Sequence, residues 1–250
     1  MNERYDFRTK RLFVEQDLSA GVALSIERTQ ANYLLNVLRL KARDKVLLFN
    51  GRDGEWLANI VPTGRKACDL MPTEQLRTQP APYDLTYCFA PLKQGRLDYM
   101  VQKAVEMGAG RLVPVISDYT QIHKLNLERL RANIVEAAEQ CGILSIPELE
   151  EPRPLNDLIE TWPVEQPDRV LIFCDELANA SEQAQRLEAV RHKQHAVLIG
   201  PEGGFSNKER SLLREQPFVV GLSLGPRILR ADTAGVAALA IVQAFIGDLR

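Results

Sequence analysis

The chain has 250 residues, which is enough for one large domain or two of ordinary size. Hydrophobic residues make up 45% and charged residues 26%, as in an ordinary globular protein with a sizeable core. The net charge of −2 excludes a strongly basic nucleic-acid-binding chain, although phosphate contacts need only local basic patches.

Several classes of protein are not expected from the sequence. The first residues contain no apolar signal-peptide segment, and the most apolar stretch, residues 233–245, is too short to span a bilayer. The cysteines show no close pairing that would indicate a disulfide framework or a zinc site. We therefore expect a cytoplasmic protein that binds neither a membrane nor a metal.

The first 76 residues predict a small β-rich domain. Short apolar runs separated by turn-forming residues predict strands at residues 11–14, 21–26, 45–51 and 55–63. Apolar residues at helical spacing predict one helix over residues 29–40. Together these elements suggest a β-barrel-like domain, and two prolines in a polar setting predict a linker at residues 77–84.

Residues 85–250 predict a different architecture. Strand-like apolar runs begin near residues 85, 111, 169, 195 and 218, and they alternate with helical stretches at residues 95–109, 127–142, 181–193 and 207–216. Alternation of this kind predicts an α/β domain with a mainly parallel sheet that helices cover on both faces.

A glycine-rich loop follows one of the predicted strands. Ala196–Ile199 is a short apolar run, and the Ser206 to Glu209 spacing is that of a capping box at a helix start. Between them, Gly203 and Gly204 leave the backbone open to a ligand. The spacing matches neither the phosphate-binding nor the dinucleotide-binding fingerprint, and a turn without a ligand is the simpler interpretation of this loop alone.

A second loop of the same kind lies close to the C-terminus. The sequence LGPRILRADTA, residues 224–234, leads from a predicted strand into a helix whose first turn carries Asp232 and Thr233. That helix is apolar on nearly all sides and needs cover on each of them. We therefore expect a homodimer, in which a second subunit covers the remaining face.

The two loops together resemble those of the SPOUT superfamily of methyltransferases, and more closely those of the bacterial family that methylates uridine N3 in small-subunit ribosomal RNA. RLFV near residue 11, YLLNVLRLKARD in the first domain, LKQGRLDYMVQKAVEMGA after the linker and EAAEQCG near residue 137 also match the family. The resemblance covers nearly the whole chain. It implies a PUA-like β-barrel at residues 1–76, which binds RNA, and a trefoil-knot methyltransferase domain at residues 85–250. Only the resemblance implies the knot, because knotted chains are rare.

The resemblance implies S-adenosylmethionine as the cofactor and small-subunit ribosomal RNA, or the assembled subunit, as the substrate. Glycine loops offer close backbone approach, and neighbouring aliphatic side chains can pack an adenine ring. The residues expected to bind the cofactor are Ile199, Gly200, Pro201, Gly203, Gly204, Leu224, Gly225, Ile228, Leu229 and Thr233.

Two residues are candidates for catalysis. Arg230 could stabilise the negative charge that develops when uridine loses its N3 proton, or it could fix a phosphate. Glu202 could accept that proton or order its loop. Basic residues expected to hold the RNA, each of which could also be part of a solvated surface, are Arg8, Lys10, Arg11, Arg39, Lys41, Lys93 and Arg96.

The chain departs from the family pattern at three places. Asn32 and Tyr33 replace a histidine pair, Tyr119 and Thr120 replace an Arg-Ser pair, and Ile143 and Leu144 stand where an arginine is expected. All three places are expected to touch RNA. Two other functions remain open at this point: a related methyltransferase that acts on a transfer-RNA ribose, and an RNA-binding ribosome-assembly factor without catalytic activity.

Overall fold

The computed structural model describes residues 8–64, 67–175 and 183–249. The chain divides into two compact units, and each is described by itself. The first unit comprises residues 1–82 together with residues 138–146, and the second comprises residues 83–137 and 147–250. The contribution of residues 138–146 to the first unit was not predicted.

The first unit contains a five-stranded sheet with the order β1-β3-β4-β5-β2. Strand β1 pairs with β3 in parallel, and the other neighbours pair in antiparallel fashion. The predicted helix is present as α1 and a π-helical turn at Tyr33–Val37 that follows it directly. The strands and helix are β1 Arg11–Phe13, β2 Leu24–Ser25, α1 Arg28–Asn32, β3 Lys45–Phe49, β4 Glu55–Gly64 and β5 Ala67–Arg77.

Strand β5 was missed by the sequence prediction, which found only the other four strands. Its first half alternates between buried and less buried residues, with Cys68, Leu70 and Pro72 on the buried face. Pro72 and the polar second half of β5 obscure the alternation of apolar and polar residues that would predict a strand. Cys68 and Leu70 join Leu34, Val46 and Ile60 in the core of the unit.

A long helix, α3 Leu127–Cys141, ends in the first unit, to which residues 138–146 belong. Three hydrogen bonds within this unit hold it: Phe13 N donates to Glu139 Oε1 at 2.8 Å, Arg77 Nη2 to the carbonyl of Gly142 at 3.0 Å, and Gln79 Nε2 to Ser145 Oγ at 3.1 Å. Leu144 is buried here, which explains an apolar residue where the family pattern has an arginine.

The second unit is the predicted α/β domain with a parallel sheet, in the order β12-β10-β11-β6-β7-β8, with the short β9 also on β7. Every pairing in this sheet is parallel. The strands are β6 Leu85–Phe89, β7 Ala109–Ile116, β8 Glu148–Leu149, β9 Arg153–Pro154, β10 Arg169–Cys174, β11 Gln194–Ile199 and β12 Val219–Leu222. The helices are α2 Gln94–Glu106, α3 Leu127–Cys141, α4 Leu155–Glu165, α5 Gln183–Ala189, α6 Asn207–Arg214 and α7 Ala231–Phe245.

Helix α4 was also missed, although its sequence carries the expected period. Leu155, Leu158, Ile159 and Trp162 are spaced as one face of a helix, and all four are buried. They pack in one core with residues of β10, β11 and α6. Pro163 lies in the last turn of α4, so its ring reduces the helical signal without removing the helix.

Over residues 8–64, 67–175 and 183–249, no helix is long and apolar enough to cross a membrane. Across the same residues no three His, Cys, Asp or Glu side chains are grouped so that they could hold a metal ion.

Candidate functional site

A cavity of about 340 Å³ lies at the carboxyl ends of β10 and β11 in the second unit. Both glycine loops line it, and so do the last residues of β10 and the first turn of α7. Ligands of open parallel sheets bind at this edge, where strands end and loops begin. The parallel sheet therefore brings the two glycine loops together at one cavity.

The first loop is shaped by contact between Gly200 and Phe205. A Cβ atom on Gly200 would lie 2.7 Å from the Phe205 ring, so any larger residue would displace that ring. The ring is buried and packs edge-on against Phe173 of β10, with 5.2 Å between centroids. Gly204 then closes the turn with φ of +67°, in the left-handed region that glycine tolerates.

The predicted capping box at the start of α6 is confirmed. Ser206 is the N-cap, its Oγ accepts from Glu209 N at 3.2 Å, and Glu209 Oε2 accepts from Ser206 N at 2.8 Å. Glu209 is buried, and its other oxygen accepts from Asp118 N at 2.8 Å. One carboxylate thus fixes both the helix start and the segment that follows β7.

The second loop leaves much of its surface open. Gly225 has φ of +92°, and a Cβ there would meet nothing within 4 Å, so the need for glycine is conformational. Ile228 is 93% exposed although it lines the cavity. An apolar side chain held in this position is available to a ligand that enters between the loops.

Sequence reasoning missed the polar side of the cavity, which β10 and α6 supply. Asp175 is buried and accepts a hydrogen bond from Arg214 Nε at 2.9 Å. Arg210, which also lines the cavity, places Nη1 4.0 Å from Asp175 Oδ1. Burial, with Asp175 adjacent, raises the pKa of the Cys174 thiol, so this cavity-lining sulfur stays protonated. An acid directly after a buried strand was the available signal for Asp175.

Most of the predicted cofactor residues line the cavity. These are Ile199, Gly200, Pro201, Gly204, Leu224, Gly225, Ile228 and Leu229. Gly203 and Thr233 are not among the cavity-lining residues, so their role in cofactor binding stays a prediction. Gly203 faces Tyr119, whose Cβ lies 3.2 Å from the position of a Cβ on Gly203, and Thr233 is exposed on α7 outside the cavity lining.

The two catalytic candidates occupy different positions. Glu202 lines the cavity, and its Oε1 lies 3.5 Å from Nη1 of Arg96, which was predicted to bind RNA. Arg230 is the N-cap residue of α7 and is exposed. It is not among the cavity-lining residues, but Leu229 and Ala231 on either side of it are.

One of the residues predicted to bind RNA requires correction. Arg11 is buried, and its Nε donates to Glu55 Oε1 at 2.7 Å. Glu55 also accepts from Arg77 Nη2 at 2.8 Å, so Arg11 belongs to a buried ion-pair network inside the first unit. The remaining candidates, Arg8, Lys10, Arg39, Lys41 and Lys93, are exposed, and Arg96 is partly exposed.

The basic segment after the π-helical turn has an unusual backbone. Arg39 and Arg43 have φ of +58° and +70°, which non-glycine residues seldom adopt. Hydrogen bonds from Arg43 N to the Ile60 carbonyl and from Lys41 N to Asp44 Oδ2 hold the segment. Its basic side chains are therefore presented from an ordered turn.

Comparison with known families gives two matches along this chain. Residues 79–243 match the model of the RNA methyltransferase domain, and residues 26–70 match that of the RNA methyltransferase PUA domain. The first match covers the sheet and cavity of the second unit, and the second lies within the first unit.

Curated relatives match over nearly the full length. The chain is 30% identical to ribosomal RNA small subunit methyltransferase E of Rickettsia conorii over 235 residues, which cover 93% of this chain and 94% of that protein. It is 25% identical to the protein of the same name from Bacillus subtilis, with 94% and 96% covered.

Solved structures show the same fold. A protein of Legionella pneumophila described as a methyltransferase, in complex with the bound cofactor SAM, superposes with a TM-score of 0.83 at 27% identity, covering 95% of this chain and 98% of that one. A ribosomal RNA small subunit methyltransferase E from Neisseria gonorrhoeae superposes with a TM-score of 0.85 at 24% identity, covering 97% and 100%.

Proposed function

The chain belongs to the family of RNA methyltransferases that includes ribosomal RNA small subunit methyltransferase E, and we propose that it methylates N3 of a uridine in small-subunit ribosomal RNA, with S-adenosylmethionine as the methyl donor. The trefoil knot of the SPOUT superfamily is part of this proposal. The cavity formed by both glycine loops is the single observation that carries it.

The cavity fits such a cofactor in size and lining. Its volume of about 340 Å³ lies within the range of small-molecule sites, at the lower end. Ile199, Leu224 and Leu229 provide apolar surface for the adenine ring, and the backbone at Gly225 has no side chain to keep a ligand away. The relative from Legionella pneumophila with bound SAM supports this assignment.

S-adenosylmethionine supplies an electrophilic methyl group on a positively charged sulfur. The protein therefore has to align donor and acceptor, and alignment alone can supply much of the rate acceleration. Asp175, buried and fixed by Arg214, offers a carboxylate in the cavity wall that can accept hydrogen bonds from hydroxyl groups of the cofactor. Cys174 stays a neutral thiol and does not compete as a nucleophile.

The acceptor uridine has to lose its N3 proton, and the resulting negative charge spreads over the ring carbonyls. The exposed guanidinium of Arg230, between two cavity-lining residues, is the group we assign to stabilise that charge. Glu202 lies 3.5 Å from Arg96. This pair favours a role for Glu202 in holding Arg96 and ordering the loop over a role as the proton acceptor.

The first unit is proposed to orient the RNA. The predicted division into an RNA-binding domain at residues 1–76, a linker at 77–84 and a methyltransferase domain at 85–250 remains part of this proposal. Arg8, Lys10, Arg39 and Lys41 are exposed there. Phosphate contacts of this kind make binding salt-dependent and carry no sequence information themselves. Lys93 and Arg96, at the start of α2, are proposed to contact RNA beside the cavity.

We also propose a homodimer that acts in the cytoplasm, where ribosomal subunits are assembled. Helix α7 packs against α2, α5 and β11. At its C-terminal end Ala244 is exposed and Phe245 is 43% exposed. Light scattering should give twice the chain mass of 28.1 kDa, and Ala244→Arg should shift the protein to the mass of one chain.

The proposal can be tested with purified protein. Unmethylated small-subunit RNA, free or as the assembled subunit, is incubated with S-adenosylmethionine labelled in its methyl group. The RNA is then digested, and the labelled nucleoside is separated by chromatography. Label in 3-methyluridine supports the proposal, and transfer RNA serves as the control substrate.

Other outcomes favour other functions. Label in a ribose-methylated nucleoside of transfer RNA would replace the proposal with that of a transfer-RNA methyltransferase. If calorimetry shows that the protein binds the cofactor but no RNA is labelled, the assignment of the substrate fails. If it binds RNA and no cofactor, a ribosome-assembly factor is the better description.

A further inference from the structure

An exposed aromatic side chain stands at the rim of the cavity. Tyr119 follows β7 and is 52% exposed. Its Cβ, Cγ and Cδ2 atoms lie 3.2 to 3.6 Å from the position that a Cβ on Gly203 would occupy. The side chain thus covers the turn between Glu202 and Gly204, both of which line the cavity.

The backbone on both sides of Tyr119 is fixed. Asp118 N donates to the buried Glu209, and Asp118 Oδ2 accepts from Ser206 Oγ at 2.6 Å. On the other side, Thr120 is buried, its N–H donates to the Ser117 carbonyl at 3.0 Å, and its Oγ1 accepts from Ser117 N at 2.9 Å. An aromatic ring on such a segment can bind a ligand with little loss of backbone entropy.

The same contacts correct the expectation for this segment. Tyr119 and Thr120 both stand where the family pattern predicts RNA contact, but Thr120 is buried and bonded to Ser117. Only Tyr119 is available to a ligand. An arginine, the residue expected here from the family, can also stack on a planar group, so tyrosine keeps this property without the charge.

The chemistry of the proposed substrate requires such a group. N3 of uridine is the atom that pairs with adenine, so the enzyme must meet this base unpaired and outside a helix. An unpaired base exposes both of its faces, and proteins cover such faces with aromatic side chains. Arg96 and Glu202 place polar and charged groups beside the same turn.

We propose that the Tyr119 ring stacks on the unpaired target uracil and holds it at the cavity. This inference rests on the proposed function, because the ligand is the base that receives the methyl group. Stacking on an aromatic side chain contributes enough that its removal should weaken RNA binding by roughly 5- to 150-fold.

The test separates stacking from packing on Gly203. Tyr119→Phe keeps the ring and should leave KM for RNA within about twofold of the parent value. Tyr119→Leu keeps apolar cover over Gly203 but has no aromatic face. It should raise KM for RNA at least fivefold, while calorimetry shows unchanged affinity for S-adenosylmethionine. Tyr99→Leu is the matched control, because Tyr99 on α2 is 45% exposed and does not line the cavity.

Two results would overturn the proposal. Either Tyr119→Leu behaves like the parent towards RNA, or it loses affinity for the cofactor and for RNA together, which would indicate a packing role only. Tyr119→Trp gives a readout that does not depend on methyl transfer, since a stacked base quenches indole fluorescence. A single-stranded uridine-containing oligonucleotide should quench it and the matching duplex should not. Quenching with no methylation by the parent protein would reject the proposed function and retain the stacking site, and no quenching would reject the site.

Discussion

Helix α7 approaches strand β6 through a glycine, and this contact predicts a mutation whose cost depends on the side chain at position 87. A Cβ atom on Gly235 would lie 2.3 Å from Oη of Tyr87 and 3.3 Å from its Cζ. Tyr87 is fully buried, and within the described part of the chain its hydroxyl has no hydrogen-bond partner. Burial raises the pKa of this hydroxyl well above its ordinary value.

The magnitudes follow from these distances. Gly235→Ala gains about 1 kcal/mol of helix propensity but forces a clash with a rigid buried ring, which costs about 3 kcal/mol, so the free energy of unfolding should fall by about 2 kcal/mol. Tyr87→Phe removes a buried hydroxyl without a partner and should raise it by about 1 kcal/mol. In the Phe background the nearest ring atom is at 3.3 Å. There, Gly235→Ala should lower the free energy of unfolding by less than it does with Tyr87, because the close contact with Oη is gone.

Urea unfolding at fixed pH measures the four members of this cycle. A Trp56→Phe background leaves Trp162, in the second unit, as the fluorescence probe. Gly95→Ala in α2 is the control, because a Cβ there would meet nothing within 4 Å. If Gly235→Ala destabilises the protein equally with Tyr or Phe at position 87, the close contact with Oη is not the cause.

Three further predictions concern charged groups. Arg11→Met should lower the free energy of unfolding of the first unit by about 3 kcal/mol in urea, because Glu55 stays buried with a partner missing, and it should leave the RNA affinity of the folded protein unchanged. Arg39→Ala should leave the free energy of unfolding unchanged and weaken RNA binding in a filter-binding assay. Burial lowers the pKa of His195 below 6.5, so the contribution of this histidine to stability is complete above pH 6.5 and is lost as the pH falls towards the folded-state pKa. The urea midpoint of the parent protein should therefore fall between pH 7.5 and 5.5, and in His195→Gln it should fall by less. An equal fall in the variant would refute this. Arg230→Ala should slow methyl transfer roughly a hundredfold with unchanged cofactor affinity, and Arg230→Lys should recover part of the rate; a similar loss of cofactor affinity would show a different role.

The sequence was sufficient for elements with a strong local period. Strands β6, β7, β10, β11 and β12 and helices α2, α3, α6 and α7 lie where the apolar pattern predicted them, whereas the two-residue strands β8 and β9 were not predicted. Strand β5 and helix α4 were missed because Pro72 and Pro163 lie inside periodic segments. Both prolines occupy positions that their strand or helix tolerates. Tertiary packing, and not local propensity, decides that these segments form a strand and a helix.

The site was predictable where a close approach or a left-handed backbone requires glycine. Gly200, Gly204 and Gly225 line the cavity as expected. Side-chain partners across the chain were not predictable. The burial of Arg11 depends on Glu55, 44 residues away, and the cavity position of Asp175 depends on Arg214, 39 residues away. A cluster of basic residues in sequence does not show which member points inward.

Reverse transcription of small-subunit RNA from a strain that lacks this protein tests the proposed methylation at N3. A methyl group on N3 removes the donor that pairs with adenine, so reverse transcriptase stalls at the modified uridine. One such stall should disappear in the deletion strain and return with the wild-type gene, but not with the Arg230→Ala variant. Persistence of every stall in the small-subunit RNA of the deletion strain would contradict it.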